Sequence, residues 1–315
     1  MAETLDKAEA GTASQLEATV AAFPGRRFAV LDGGQFEDLP GQCRREGLFV
    51  RSLFLDHADE EAEKAGPWLI ALDQEPRAVA KVMTLVGDRP AAVFWSCNDG
   101  EAVLHRHLRT LNMVRVPDWA ALGIAHPPDP DKPTVHDSVM FRHWDPRVLG
   151  DIMPVLDSDQ FARVLGPAEE IAYVADDYGG LKRVIREPDL PPAPRGTLTI
   201  RPDQIEALDF RRRAAYCRRM SAHLRDMAPE ETSGMSDDEV HDRVLRYEAS
   251  GLKLGLTHER TLSIWGFLMI ASGERFELLP EVREFLRSGP GTPDENVETL
   301  LHQMTRLANT IREVS

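Results

Sequence analysis

Between Phe28 and about residue 145 the sequence keeps one rhythm, in which apolar runs of a few residues alternate with turns and helical patterns. That alternation constrains the fold more than any other feature. A run so short cannot bury itself as a helix and must find neighbours in a sheet. The strand-like runs are Phe28 to Leu31, Trp68 to Leu72, Ala91 to Trp95 and Met113 to Val116. Between them, helical patterns run from Pro76 to Val86 and from a capping box of Asn98 and Glu101 through Leu108. Asp32-Gly33-Gly34 reads as a turn, and Ser14 with Glu17 as a box opening a short helix that ends near Pro24 and Gly25. Further helices are expected from Pro146 to Met153 and from Ser158 to Leu165. The runs Ile171 to Val174 and Leu181 to Ile185, around Asp176-Asp177-Tyr178-Gly179-Gly180, read as a hairpin. The expected class is therefore an α/β (α+β) N-terminal lobe with a mixed sheet flanked by helices.

The segment FRHWDPRVL, Phe141 to Leu149, joins a strand pattern to a helix start. Val139, Phe141 and His143 alternate with Ser138, Met140 and Arg142. Asp145 is then a candidate N-cap before Pro146 at the first helical position, where proline's missing N–H costs nothing. Asp145 and Arg147 bracket that proline and can hold the corner by a local ion pair. The corner carries charge without a catalytic arrangement, and so points to a binding module rather than an enzyme.

Two proline-rich stretches punctuate the chain. From Pro117 to Asp137 the prolines are too dense for a helix or a central strand, so this segment is a surface insertion or long loop. From Glu187 to Gly196 they favour stiff extended backbone, the best candidate for a domain boundary. The expected organisation is an N-terminal helix and extension over 1–26, an α/β domain over 27–190, a linker over 191–200 and an all-α C-terminal lobe over 201–315. In that last lobe helices are expected from Pro202 to about Met227, from Ser236 (boxed with Glu239) to Leu252, from Thr257 to Ala271, after Pro280, and from Thr292-Pro293-Asp294-Glu295 onward. Leu262, Ile264, Trp265, Phe267, Leu268 and Ile270 are too continuous for a one-sided surface helix and read as the buried centre of the lobe. An exposed groove for a partner helix is the alternative.

With 315 residues and 42% hydrophobic content, the chain can bury a sizeable core without staples. Its formal net charge of −15 argues against nucleic acid and anionic membrane as partners. Cys43, Cys97 and Cys217 are odd in number and widely spaced, which suits reduced thiols in a cytoplasm. No run approaches the roughly 18 apolar residues of a membrane span, and the N-terminus lacks the pattern of a secretory signal.

Catalytic, cofactor and metal sites are not expected. Gly33 and Gly34 lack the remaining glycines or lysine of a phosphate loop. His105 and His107 would point about 200° apart on a helix and cannot share a metal. Ser96 and Cys97 stand where a strand could hand over a nucleophile, but no nucleophile elbow surrounds them. Arg211, Arg212, Arg213, Arg218 and Arg219 lie on one predicted helix. They are either a solvated, internally paired surface or a docking face for an acidic partner segment.

Several blocks, in order, resemble the type VI secretion effector adaptor (chaperone) family. They are LDGGQ (Leu31 to Gln35), RSLF (Arg51 to Phe54), GPWLIAL (Gly66 to Leu72), HLRTLNMVRVPD (His107 to Asp118), FRHWDPRVL, and LGP (Leu165 to Pro167). The match spans roughly Arg27 to Asp176, and RPDQIEAL (Arg201 to Leu208) is similar to the start of the helical lobe often appended in this family. The stretch between Asp118 and Val139 is longer than the short hairpin usual there. The resemblance implies a non-enzymatic cytoplasmic adaptor that binds the N-terminal region of a toxic effector and loads it onto the VgrG spike, directly or through the effector. Trp119, Arg211, Arg212, Arg218 and Arg219 are the candidate partner contacts; Asp32, Gln35, Arg142, Asp145, Pro146 and Arg147 are assigned to structural motifs. The competing readings are a hydrolase that pairs Ser96 or Cys97 with a distant histidine, and an immunity protein that blocks a toxin.

Overall fold

A computed structural model describes residues 2–54, 59–75, 77–123 and 133–314. The chain divides into two compact units, Met1–Arg212 and Arg213–Ser315. The first contains α1 (Ala2–Ala21), β1 (Arg27–Asp32), α2 (Leu39–Arg45), β2 (Val50–Ser52), α3 (Glu60–Ala65), β3 (Pro67–Ala71), α4 (Ala78–Val86) and β4 (Ala92–Ser96). There follow α5 (Glu101–Arg109), β5 (Met113–Pro117), α6 (Asp118–Ala121), β6 (His136–Met140), α7 (Pro146–Ile152), α8 (Ser158–Leu165), β7 (Glu170–Ala175) and β8 (Gly180–Ile185).

Six strands form one sheet in the order β2-β3-β1-β4-β7-β8, while β5 and β6 form a separate hairpin. Every neighbouring pair in the six-stranded sheet is antiparallel. The one parallel bridge among the described residues, Arg115 to Thr199, lies outside this sheet. The α/β class and the antiparallel pairing are compatible because the two strands joined by α4 are not neighbours. β3 and β4 both run antiparallel to β1, so they share a direction with β1 between them, and α4 makes the crossover.

Both faces of β1, β3, β4 and β7 are covered, which is why these strands read as apolar runs instead of polar–apolar alternation. Phe28, Val30, Leu69, Val93, Trp95, Ile171 and Tyr173 face one core, packed by Leu104 and Leu108 of α5, Leu149 and Ile152 of α7, and Val164 and Leu165 of α8. Ala29, Leu31, Ile70, Phe94 and Ala172 face the other, with Leu16 and Val20 of α1, Cys43 of α2 and Val82 of α4.

Local signals differ from the sequence reading at three helix starts. Ser14 lies inside α1, which starts at Ala2, because the alanine-rich residues before it are themselves good helix formers. α5 is capped by Gly100 at φ +88° without a side-chain bond, since the Asn98 N–H donates to the Glu169 carboxylate instead. α4 starts at Ala78 rather than Pro76, a residue outside those described.

The division between units falls at Arg212, not at 191–200. Leu198, Ile200 and Leu208 belong to the first unit's core. The Arg115 N–H donates to the Leu198 carbonyl and the Ile200 N–H to the Arg115 carbonyl, each at 2.8 Å, so the chain beyond the prolines is bound back onto β5. At the other end, Leu16, Val20 and Phe23 make α1 part of the first unit and not a detached extension.

The second unit is helical. It begins within α9 (Pro202–Met227) and continues through α10 (Pro229–Thr232), α11 (Asp237–Lys253), α12 (Glu259–Ala271), α13 (Pro280–Ser288) and α14 (Pro293–Val314). Ser236 and Glu239 form the expected capping box of α11. Leu262, Trp265, Leu268 and Ile270 are buried at its centre, with Ile264 and Phe267 packed against them.

Candidate functional site

FRHWDPRVL and LDGGQ, 110 residues apart, meet at one end of the sheet. Asp32 is the last residue of β1 and is 1% exposed. One of its carboxylate oxygens accepts from the Gly34 N–H at 3.2 Å, which caps the short 3-10 turn Gly33–Gln35, and the other accepts from Arg142 Nη2 at 2.5 Å. Arg142 also reaches Asp145 at 3.5 Å. Asp145 caps α7 as expected, accepting from the Arg147 N–H at 3.0 Å and the Arg147 Nε at 3.3 Å, with Pro146 at the first helical position. Both carboxylates are buried while the Arg142 and Arg147 side chains remain 42% and 48% exposed. The local Asp145–Arg147 pair thus forms, and Arg142 ties it to β1. Gln35 contributes its backbone carbonyl, which accepts from Arg89 at 3.4 Å.

Asp151 anchors a second acidic centre at the far end of α7. Its Oδ2 accepts from Arg212 Nε at 2.7 Å. Arg211 donates to the Asp151 and Gly150 carbonyls at 3.0 and 2.8 Å, satisfying the orphan carbonyls of a helix end, and its guanidinium lies 5.3 Å from the Tyr178 ring centroid. Burial pushes the Asp151 carboxyl up, and Arg212 and Arg211 pull it back. Asp151 and Tyr178 were missed in the sequence; an acid six residues after the cap, at the other end of a short helix, carries no motif of its own.

Pro146 also forms part of the wall of an open cleft bounded by Thr12, Leu16, Val86, Phe94 and Val174. Trp119 lies in α6 and is 4% exposed, so its ring is not offered to solvent. Within the insertion Leu122 and Val135 are exposed apolar residues, while 124–132 lie outside the described residues. Arg213 pairs with Glu248 at 2.7 Å and Arg219 with Glu259 at 2.8 Å in the second unit, and Arg218 is on its surface. Of these five arginines, Arg211 and Arg212 belong to the first unit and Arg213, Arg218 and Arg219 to the second.

Ser96 and Cys97 are fully buried. The Ser96 hydroxyl accepts from the Gly25 N–H at 3.0 Å, the Cys97 sulfur lies 3.6 Å from the Pro167 carbonyl, and burial pushes the Cys97 thiol up. His105 and His107 turn to opposite partners, the carbonyls of Ser52 at 2.9 Å and Val164 at 3.0 Å. His143 is enclosed, pushed down to about 3 by burial, and bonded to Asn112. Among the described residues, no group of three or more His, Cys, Asp or Glu side chains could hold a metal ion, and no helix is long and apolar enough to cross a membrane.

The first unit is thus an antiparallel six-stranded α/β layer structure with a charged corner around α7. Residues 27–163 match a family model described as "Domain of unknown function (DUF4123)". The match contains Asp32, Arg142, Asp145, Arg147 and Asp151, and ends before β7 and the arginines of α9. No curated protein and no solved structure matches the chain.

Proposed function

We propose that this protein is a non-enzymatic, cytoplasmic adaptor that grips the N-terminal region of a type VI secretion effector and promotes its loading onto the VgrG spike, directly or through the effector. The observation that carries the reading is the Asp32–Arg142–Asp145 contact. Two blocks of the family resemblance converge on it, within the stretch matched by the domain model. The hydrolase alternative is weakened by the burial of both candidate nucleophiles and by the raised Cys97 thiol, since an attacking thiolate needs access and a lowered pKa. The test is affinity purification of the full chain from its native host, with identification of what comes down, together with S96A and C97A in an effector-delivery assay. An effector held by all three proteins supports the adaptor. Loss of delivery in C97A with the fold intact, or protection of a target cell by this chain alone, overturns it in favour of a hydrolase or an immunity protein.

A further inference from the structure

The β5–β6 hairpin has two outer edges, and the chain itself occupies one of them. The Phe141 N–H donates to the Asn112 carbonyl at 2.9 Å and the Asp118 N–H to the Val135 carbonyl at 3.0 Å, so 135, 137, 139 and 141 turn their backbone toward β5. On β5, Arg115 turns the other way and is bonded to Leu198 and Ile200. The segment 197–200 is thereby laid along that edge, with Leu198 and Ile200, two positions apart, both buried in the core. On β6 the residues that turn outward are His136, Ser138 and Met140, and among the described residues none bonds the N–H or carbonyl of Ser138 or Met140. Met140 stands directly opposite Met113, and the two are 56% and 43% exposed on the face away from Val114 and Val139, which pack on the core. The outer strands of the six-stranded sheet are blunted by comparison. His105 is hydrogen-bonded to the Ser52 carbonyl of β2 at 2.9 Å, and β8 carries Lys182 and Arg183. β6 has no lysine, arginine or proline, and its Asp137 lies on the other face from the methionines.

We propose that β6 is a docking edge for an extended segment of a protein partner, which adds to the hairpin as a further strand, hydrogen-bonded to Ser138 and Met140 and laying apolar side chains against the Met113–Met140 pair. The inference rests on the adaptor reading for the partner's being the effector. The hydrogen-bonding pattern names the occupant. Outward N–H and carbonyl groups recur every second residue along β6, about 7 Å apart, which is the repeat that another extended backbone presents. The opposite edge of the same hairpin takes such a segment from within the chain, with apolar residues at alternate positions. Methionine side chains are flexible and polarizable, so this pair can fit apolar residues of more than one shape. A second copy is the poorer occupant, because each chain carries a net charge of −15 and two of them repel.

The test uses the full chain and a fluorescein-labelled peptide of alternating threonine and valine, with the same peptide N-methylated at every backbone amide as comparison. Anisotropy is expected to show binding of the first and none of the second. S138P puts proline where the N–H faces outward, so the bonds to β5 stay in place while the edge loses a donor, and binding is expected to weaken about tenfold. S138A keeps that N–H and is expected to bind as wild type does. Thermal unfolding of each variant reports its folding. If S138P fails to fold, M140K carries the test, since a lysine guards an edge without removing a backbone bond. Binding equal to wild type in the folded variant overturns the proposal, as does a loss in S138A as large as in S138P, or equal behaviour of the two peptides. A concentration-dependent dimer that S138P abolishes overturns it in favour of a second copy. An effector that co-purifies undiminished with a folded S138P refutes this docking edge and leaves the adaptor reading standing. Absence of any effector on the wild-type chain refutes the adaptor reading itself.

Discussion

The two glycines of LDGGQ are adjacent in sequence and opposite in what they tolerate. A Cβ on Gly33 would overlap the Lys64 carbonyl oxygen and lie 2.5 Å from that of Gly66, whereas one on Gly34 would find its nearest neighbours at 3.4 Å. The obstacles at Gly33 are backbone atoms, which no rotamer change removes. Accommodating alanine there means separating the turn from the segment leading into β3 and losing the 2.9 Å bond from the Gly33 N–H to the Gly66 carbonyl. Losing that bond costs about 1 kcal/mol and the overpacking about 1–3 kcal/mol, so G33A should destabilise the first unit by about 2–4 kcal/mol. For a unit of this size that is a fall in melting temperature on the order of 5–15 °C. G34A should stay within about 0.5 kcal/mol of wild type. Denaturant unfolding of the three proteins decides the matter. Equal midpoints for the two variants would refute the argument that close backbone approach, and not turn flexibility, sets the need for glycine at Gly33.

Two further outcomes follow from particular groups. Asp294, beside the first residue of α14, accepts from the Thr257 N–H at 3.1 Å and from the side chains of Thr261, Thr257 and His258, so it ties the start of α12 to the start of α14. Burial pushes its carboxyl up, but these donors outweigh that and hold it well below the usual carboxylate range. Its contribution is therefore present at neutral pH and lost as pH falls below about 4, and D294A should cost the helical unit about 1–3 kcal/mol, read as a lower unfolding midpoint. His107 is pushed down to about 4, chiefly by burial, so the unfolded chain takes up its proton first as pH falls from about 6.5. Stability should drop between pH 6.5 and 4, and H107Q, which keeps a donor for the Val164 carbonyl, should show a shallower drop in the same unfolding series.

The α/β class was legible because strands buried on both faces produce unmistakable apolar runs, and Asp145-Pro146 announced its helix through local geometry alone. Pairing direction was not legible: α4 links two strands of the same direction, but β1 lies between them and pairs antiparallel to both. The unit boundary escaped for a similar reason. Prolines mark where a chain stiffens, but Leu198 and Ile200 just beyond them are apolar and reattach it to β5. Of the charged corner, the Asp145–Arg147 half is local and readable, whereas the Asp32–Arg142 half depends on two segments whose meeting only the fold determines. Trp119 shows the converse. An aromatic in a proline-rich insertion looks like a contact residue, yet its four-residue helix turns it inward.

β4 and β7 are neighbours in the interior of the sheet, yet Ser96 and Glu169 at their junction are 73 positions apart, with α5, the β5–β6 hairpin, α7 and α8 strung between them. A closure of that length must overcome its chain entropy before the pairing rewards it, so the last act of assembly should be this seam, preceded by a half-built sheet with bare edges. Refolding should accordingly be slow for the unit's size and strongly concentration-sensitive, because an open seam on one molecule is a template for the strands of another.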